Sequence, residues 1–162
     1  MLSLCRSPRV WGCLCLVVNE LVTVRTSFFD DEEINHRKTY LLFSRNLARD
    51  ESGRTILRIG REQCPVEVED APFVVRTLEF ILADGGELKS VWLHLNDETR
   101  EPLNQETLRI GPENVPYCRV RSGEFEARFS RGAYQLLFPF IQHDEKENRF
   151  FITIGGKDHD LS

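Results

Sequence analysis

Residues 73–95 read FVVRTLEFILADGGELKSVWLHL, and their pattern decides the fold class. The runs 73–82 and 87–95 are rich in β-branched and aromatic residues, and Ala83-Asp84-Gly85-Gly86 between them has turn composition. The spacing predicts a long β-hairpin. Because successive side chains alternate across a strand, Val91, Leu93 and Leu95 fall on the buried side, with Trp92 and His94 on the other.

Working outward, YCRVRSGEFEARF (117–129) predicts a second hairpin about Ser122-Gly123. A two-residue loop makes opposed residue numbers sum to 245, pairing Arg121 with Glu124, Arg119 with Glu126, Val120 with Phe125 and Cys118 with Ala127. Charge meets charge on one face and apolar meets apolar on the other, which supports the register and makes the arginines cross-strand ion pairs. RTILRIG (54–60) alternates as a strand with Leu57 and Ile59 on one face, and further strands are expected at 66–69, 107–110 and 149–156.

Two amphipathic helices complete the set. One runs from Ile34 to Leu47, with Asn35 as N-cap and Leu42, Phe43 and Leu47 on its apolar side. The other covers Ala133 to Ile141 and is ended or kinked by Pro139. Three matches recur at an offset of 95: Leu41-Leu42-Phe43 with Leu136-Leu137-Phe138, Arg54 with Arg149, and Ile59-Gly60 with Ile154-Gly155. The expectation is a β-rich α+β fold in which two similar helix-plus-antiparallel-strand units, about 34–98 and 99–160, arose by internal duplication and form one compact domain over 26–162.

The chain has 162 residues, and its 21 Lys and Arg against 26 Asp and Glu give a net charge of −5. That balance excludes a generally basic nucleic-acid binder. The longest apolar run, Cys13–Val18, is far short of the roughly 20 residues a membrane helix needs. Five cysteines with no C-x-x-C pair fit a reducing, cytoplasmic setting. Residues 1–25 stand apart, with three of those cysteines and one of the two tryptophans, and read as an over-long start or a disordered arm.

GRTILRIGREQCP (53–65) followed by VEVEDAPFVV (66–75) resembles the bacterial domain-of-unknown-function family 1285. The resemblance continues through LNDETREPLNQETL (95–108), VPYCRV (115–120), EARFSRGAYQLL (126–137) and FFITIGG (150–156). The chain departs from the family at Phe28-Phe29-Asp30-Asp31, where members carry a Trp- and Gly-containing opening. The resemblance implies an α+β fold of tandem similar units with no assigned activity, and a signalling or ligand-sensing role; it supplies no catalytic residue.

Candidate sites are therefore weighed on chemistry alone. Glu67 and Glu69 share a strand face and, with Asp70, form the densest carboxylates, yet they lack the further ligands a metal requires. Of His36, His94, His143 and His159, only His159 lies between two acids, Asp158 and Asp160, at an expected frayed chain end. The Gly155-Gly156-Lys157 step lacks the glycine spacing and following helix of a phosphate loop and reads as a turn. No catalytic residue, metal or cofactor is expected.

The function expected is a non-enzymatic domain, in signalling or regulation, that binds a small molecule or protein partner in a groove between the halves through Glu69, Asp70, Phe73, Trp92 and Asn96. The alternative is a scaffold that dimerises through a sheet edge or the Trp92 face. A hydrolase using Glu67 and Glu69 with a metal is a third reading.

Overall fold

The computed structural model describes residues 37–161 in full and residues 14–17, 26–29 and 32–33 by their backbone. Residues 1–13, Asn35 and His36 lie outside the described residues, and with them the expected N-cap. The chain divides into two compact units, Met1–Pro72 and Phe73–Ser162.

In the first unit, strands β1 (Leu14–Val17), β2 (Thr26–Phe29) and β3 (Glu32–Glu33) precede helix α1 (Arg37–Arg45) and strands β4 (Leu47–Arg49), β5 (Thr55–Ile59) and β6 (Glu62–Val68). They form one sheet in the order β3-β2-β1-β6-β5-β4. Leu14–Val17 of the expected disordered arm are thus a strand in mid-sheet, antiparallel to β2 and parallel to β6. In β5 the residues Thr55, Ile56 and Leu57 are all buried while Arg58 is exposed, so the first half of this strand is covered on both faces and alternation sets in only after it. In α1 the buried residue is Ser44, whereas Leu42 is exposed.

The second unit begins with the expected hairpin, β7 (Phe73–Leu82) and β8 (Leu88–Leu95), followed by β9 (Arg100–Pro102), β10 (Arg109–Ile110), β11 (Pro116–Val120) and β12 (Phe125–Phe129). Their sheet has the order β10-β11-β12-β7-β8-β9. The β11–β12 register has the predicted sum, Cys118 opposing Ala127 and Arg119 opposing Glu126. Helix α2 (Arg131–Leu137) starts at Ser130, whose hydroxyl oxygen accepts from the Ala133 amide at 3.1 Å. A 3₁₀ turn through Pro139 ends it, and β13 (Ile141–Asp144), β14 (Arg149–Ile154) and β15 (Lys157–Asp160) make an antiparallel three-stranded sheet. His159, expected in a frayed end, sits in β15 opposite Ile152.

The division falls at Pro72–Phe73 and not near residue 98, because β7 is paired on both sides within the second unit: antiparallel to β8 and parallel to β12. The core of this unit is the inner sheet face, where Phe73, Val75, Leu93, Val120, Phe125 and Ala127 are at most 1% exposed. Phe73 and Phe125 meet edge to face at 5.5 Å.

The helix-then-three-strands series appears in both units: α1-β4-β5-β6 and α2-β13-β14-β15. Ile56 opposes Pro65 and Ile59 opposes Glu62 in one; Phe151 opposes Asp160 and Ile154 opposes Lys157 in the other. Adding 95 to the first set gives the second. Gly60 and Gly155 occupy the same turn position at φ 61° and 60°, a left-handed conformation that favours glycine.

The two edges of the β10-to-β9 sheet are short and differently arranged. On β9, Leu103 N donates to Val91 O and Leu95 N to Thr99 O, so Arg100 and Pro102 turn their backbones outward, and of the two only Arg100 has an N–H to offer. On β10, Ile110 N donates to Leu161 O at 3.1 Å, which caps that edge with the end of the chain. Among the described residues, no helix is long and apolar enough to cross a membrane.

Candidate functional site

The outer face of the β10-to-β9 sheet gathers the aromatic and charged side chains that the pleat turns away from the core. Along β8, Val91, Leu93 and Leu95 are buried while Ser90, Trp92 and His94 are half-buried on the opposite side, as the sequence predicts. Pairing sets their neighbours: Trp92 lies between Glu79 of β7 and Pro102 of β9, and His94 between Thr77 and Arg100. A β-bulge between Val75 and Thr77 keeps Glu79 on this face.

The side chains meet there. The Arg100 guanidinium carbon stands 4.3 Å over the Trp92 ring, and its Nη2 donates to Glu79 Oε2 at 2.9 Å. His94 Nε2 lies 3.4 Å from the same oxygen. The three polar side chains are 39–45% exposed, so the pairing is solvent-screened and is worth little to stability by itself. Its effect is to hold a guanidinium flat against an indole at the protein surface.

The same face continues across β12, β11 and β10. There Val74 neighbours Arg128, Arg128 opposes Tyr117, Arg119 opposes Glu126, and Arg109 opposes Tyr117. Arg109 lies over the Tyr117 ring at 4.7 Å and its Nη2 reaches Glu126 Oε1 at 2.5 Å. Partial burial lowers the pKa of Arg128 from its ordinary value. Four arginines, Arg100, Arg109, Arg119 and Arg128, thus share one face with two glutamates, Glu79 and Glu126, in a chain of net charge −5.

A second polar cluster joins the turns at one end of the sheet. Asn96 Oδ1 accepts from Val74 N at 2.9 Å, and Asn96 N donates to Val74 O at 3.0 Å. Asp97 Oδ1 accepts from the amide and the hydroxyl of Thr99, at 3.0 and 2.5 Å, an Asx-turn that shapes the β8–β9 connection. The other oxygen of Asp97 accepts from Arg121 Nη2 at 2.6 Å. Arg121, at φ 51°, also donates its amide to Glu101 and lies 4.5 Å over the Phe73 ring.

The five residues chosen from the sequence are distributed over these places. Glu69 and Asp70 belong to the first unit, just after β6, and are exposed. Phe73 and Asn96 are brought together, but in the core: Phe73 is fully buried and Asn96 is 4% exposed and bonded to the backbone of Val74. They hold the fold of the second unit. Trp92 alone among the five lies on the outer face. Arg100, Glu79, Asp97 and Arg121 were not singled out by sequence; the signal for Arg100 was the tight turn in LNDETREP, which sets it opposite His94.

Other expectations resolve on their residues. Cys118 is buried, and burial pushes its thiol pKa far up, so it packs as a small apolar group. Gly155-Gly156 is the β14–β15 turn, with both residues at positive φ. Among the described residues, no group of three His, Cys, Asp or Glu side chains could hold a metal ion.

No family model and no curated protein matches the chain. Two solved structures do. One is a DUF1285 family protein from Silicibacter pomeroyi DSS-3, 22% identical, with a TM-score of 0.69 over 94% of this chain and 79% of that one. The other is a DUF1285 family protein from Shewanella baltica OS155, 15% identical, with a TM-score of 0.59 over 79% of this chain and 91% of that one. This chain has the fold of those bacterial DUF1285 family proteins, the same family that its sequence segments resemble.

Proposed function

We propose that this protein is a non-enzymatic binding domain that engages a partner through the outer sheet face of its second unit, centred on Trp92. One observation carries the reading: Trp92, Arg100, Glu79 and His94 form a prearranged, half-exposed aromatic and charged cluster on a rigid sheet. Amphipathic aromatics and arginines with low conformational freedom are the residues that dominate binding energy at interfaces.

The edge strands β9 and β10 are three and two residues long and offer little backbone for edge-to-edge pairing, which favours recognition by this face; a homodimer, the second reading, would form through the Trp92 face or a sheet edge. The buried, protonated thiol of Cys118 fits a cytoplasmic setting. The shared helix-and-strands series, with its common offset of 95 and matched Gly60 and Gly155, supports an origin by internal duplication.

The test is native against denaturing mass spectrometry of protein purified from a bacterial host, for wild type and Trp92→Ala. Mass that departs on denaturation and is missing from Trp92→Ala supports the reading. Bound mass retained by the variant moves the site elsewhere, and a bare monomer in both removes the ligand and dimer forms of the proposal.

A further inference from the structure

We infer that the partner taken by the outer face is an acidic, extended polypeptide segment, with Arg100 as the residue that reads its carboxylates; this rests on the proposed binding role of that face. Arg100 has five N–H donors in a planar fork, of which Nη2 is directed to Glu79. The Trp92 ring beneath fixes the plane of the fork, and 45% of the side chain stays exposed. A guanidinium held flat with open donors is prearranged for a carboxylate, which accepts two parallel N–H bonds from it.

Charge and shape extend the argument across the face. Arg119 is exposed on β11, and Arg109 is 41% exposed on β10. From β9 to β11 there are four strand intervals, about 19 Å at roughly 4.8 Å each, a distance that about six extended residues span. An acidic segment laid across the strands would meet Arg100 at one end and Arg119 towards the other. The arginines of this face are separated by Glu79 and Glu126, which suits carboxylates spaced along a peptide. A nucleic-acid backbone, with closely spaced phosphates, would need the clustered basic residues that this net-acidic chain lacks.

The experiment is fluorescence polarisation with the full chain and three labelled probes: an alternating Glu-Tyr peptide, the Lys-Tyr counterpart, and a single-stranded oligonucleotide. The expected result is binding of the Glu-Tyr peptide alone, weakening as salt rises, with about a tenfold loss in Arg100→Gln and partial recovery in Arg100→Lys. Thermal melting should be unchanged in both variants, since their side chain is exposed. No Glu-Tyr binding, binding indifferent to Arg100→Gln, or preference for the oligonucleotide overturns the inference. Lys-Tyr binding that Trp92→Ala abolishes would overturn the acidic partner while leaving the binding face standing.

Discussion

Asp97 and Arg121 form an ion pair 2.6 Å long in which the carboxylate side chain is 0% exposed and the guanidinium 22%. It ties the β8–β9 turn to the β11–β12 turn, elements distant in sequence, over the ring of Phe73. Removing one partner of such a pair leaves the other charge stranded. Asp97→Ala is expected to lower stability by about 3–5 kcal/mol in urea unfolding followed by circular dichroism. A loss below about 1 kcal/mol would show that water replaces the carboxylate.

Asp50 gives the fold an acid limit in its first unit. Its carboxylate accepts from the Ser52 hydroxyl and from the Arg54 amide, which with the Arg54 side chain bring its pKa down from 3.8 to about 2. A carboxyl depressed on folding stabilises the native state above its unfolded pKa, and that contribution fades as pH falls through the folded one. The stability difference between wild type and Asp50→Asn should therefore be full above about pH 4 and shrink towards pH 2. A carboxyl titration by NMR with a midpoint near the unperturbed value would contradict it.

Gly60→Ala and Gly155→Ala should cost alike. Each residue is left-handed, and an added Cβ at Gly60 meets nothing within 4 Å while at Gly155 it meets only Lys89 O at 3.6 Å. The penalty is then conformational, about 1–2 kcal/mol in each case. Unequal losses in thermal unfolding of the two variants would mean that the paired hairpins carry different strain.

The buried Cys118 should resist alkylation in the folded chain. Its thiol stays protonated and shielded, and only the thiolate reacts. Iodoacetamide labelling read by peptide mass spectrometry is expected to leave Cys118 unmodified in native buffer and to modify it in urea. Rapid native labelling would place this strand among the first to open.

Local pattern predicted local structure well here, and failed where distant chain segments decide. The β11–β12 register followed from Ser122-Gly123 and matching faces, yet the reach of its arginines did not: Glu126 is taken by Arg109 from the next strand, and Arg121 reaches Asp97. An arginine side chain is long enough to choose among several carboxylates, and sequence spacing sees only the nearest. The parallel pairing of β7 with β12 left no periodic mark, since both strands read simply as half-buried. Likewise Phe73 and Asn96 look like recognition residues by type, and only tertiary packing shows that one fills the core and the other satisfies a backbone amide.

The bond from Ile110 N to Leu161 O gives the last residues of the chain a protective task. Cutting the chain before Leu161 would uncover the Ile110 N–H and leave the β10 edge as a template on which further strands could add. Shortened forms should gather into fibrous or amorphous assemblies on storage, even where the core of the second unit remains intact.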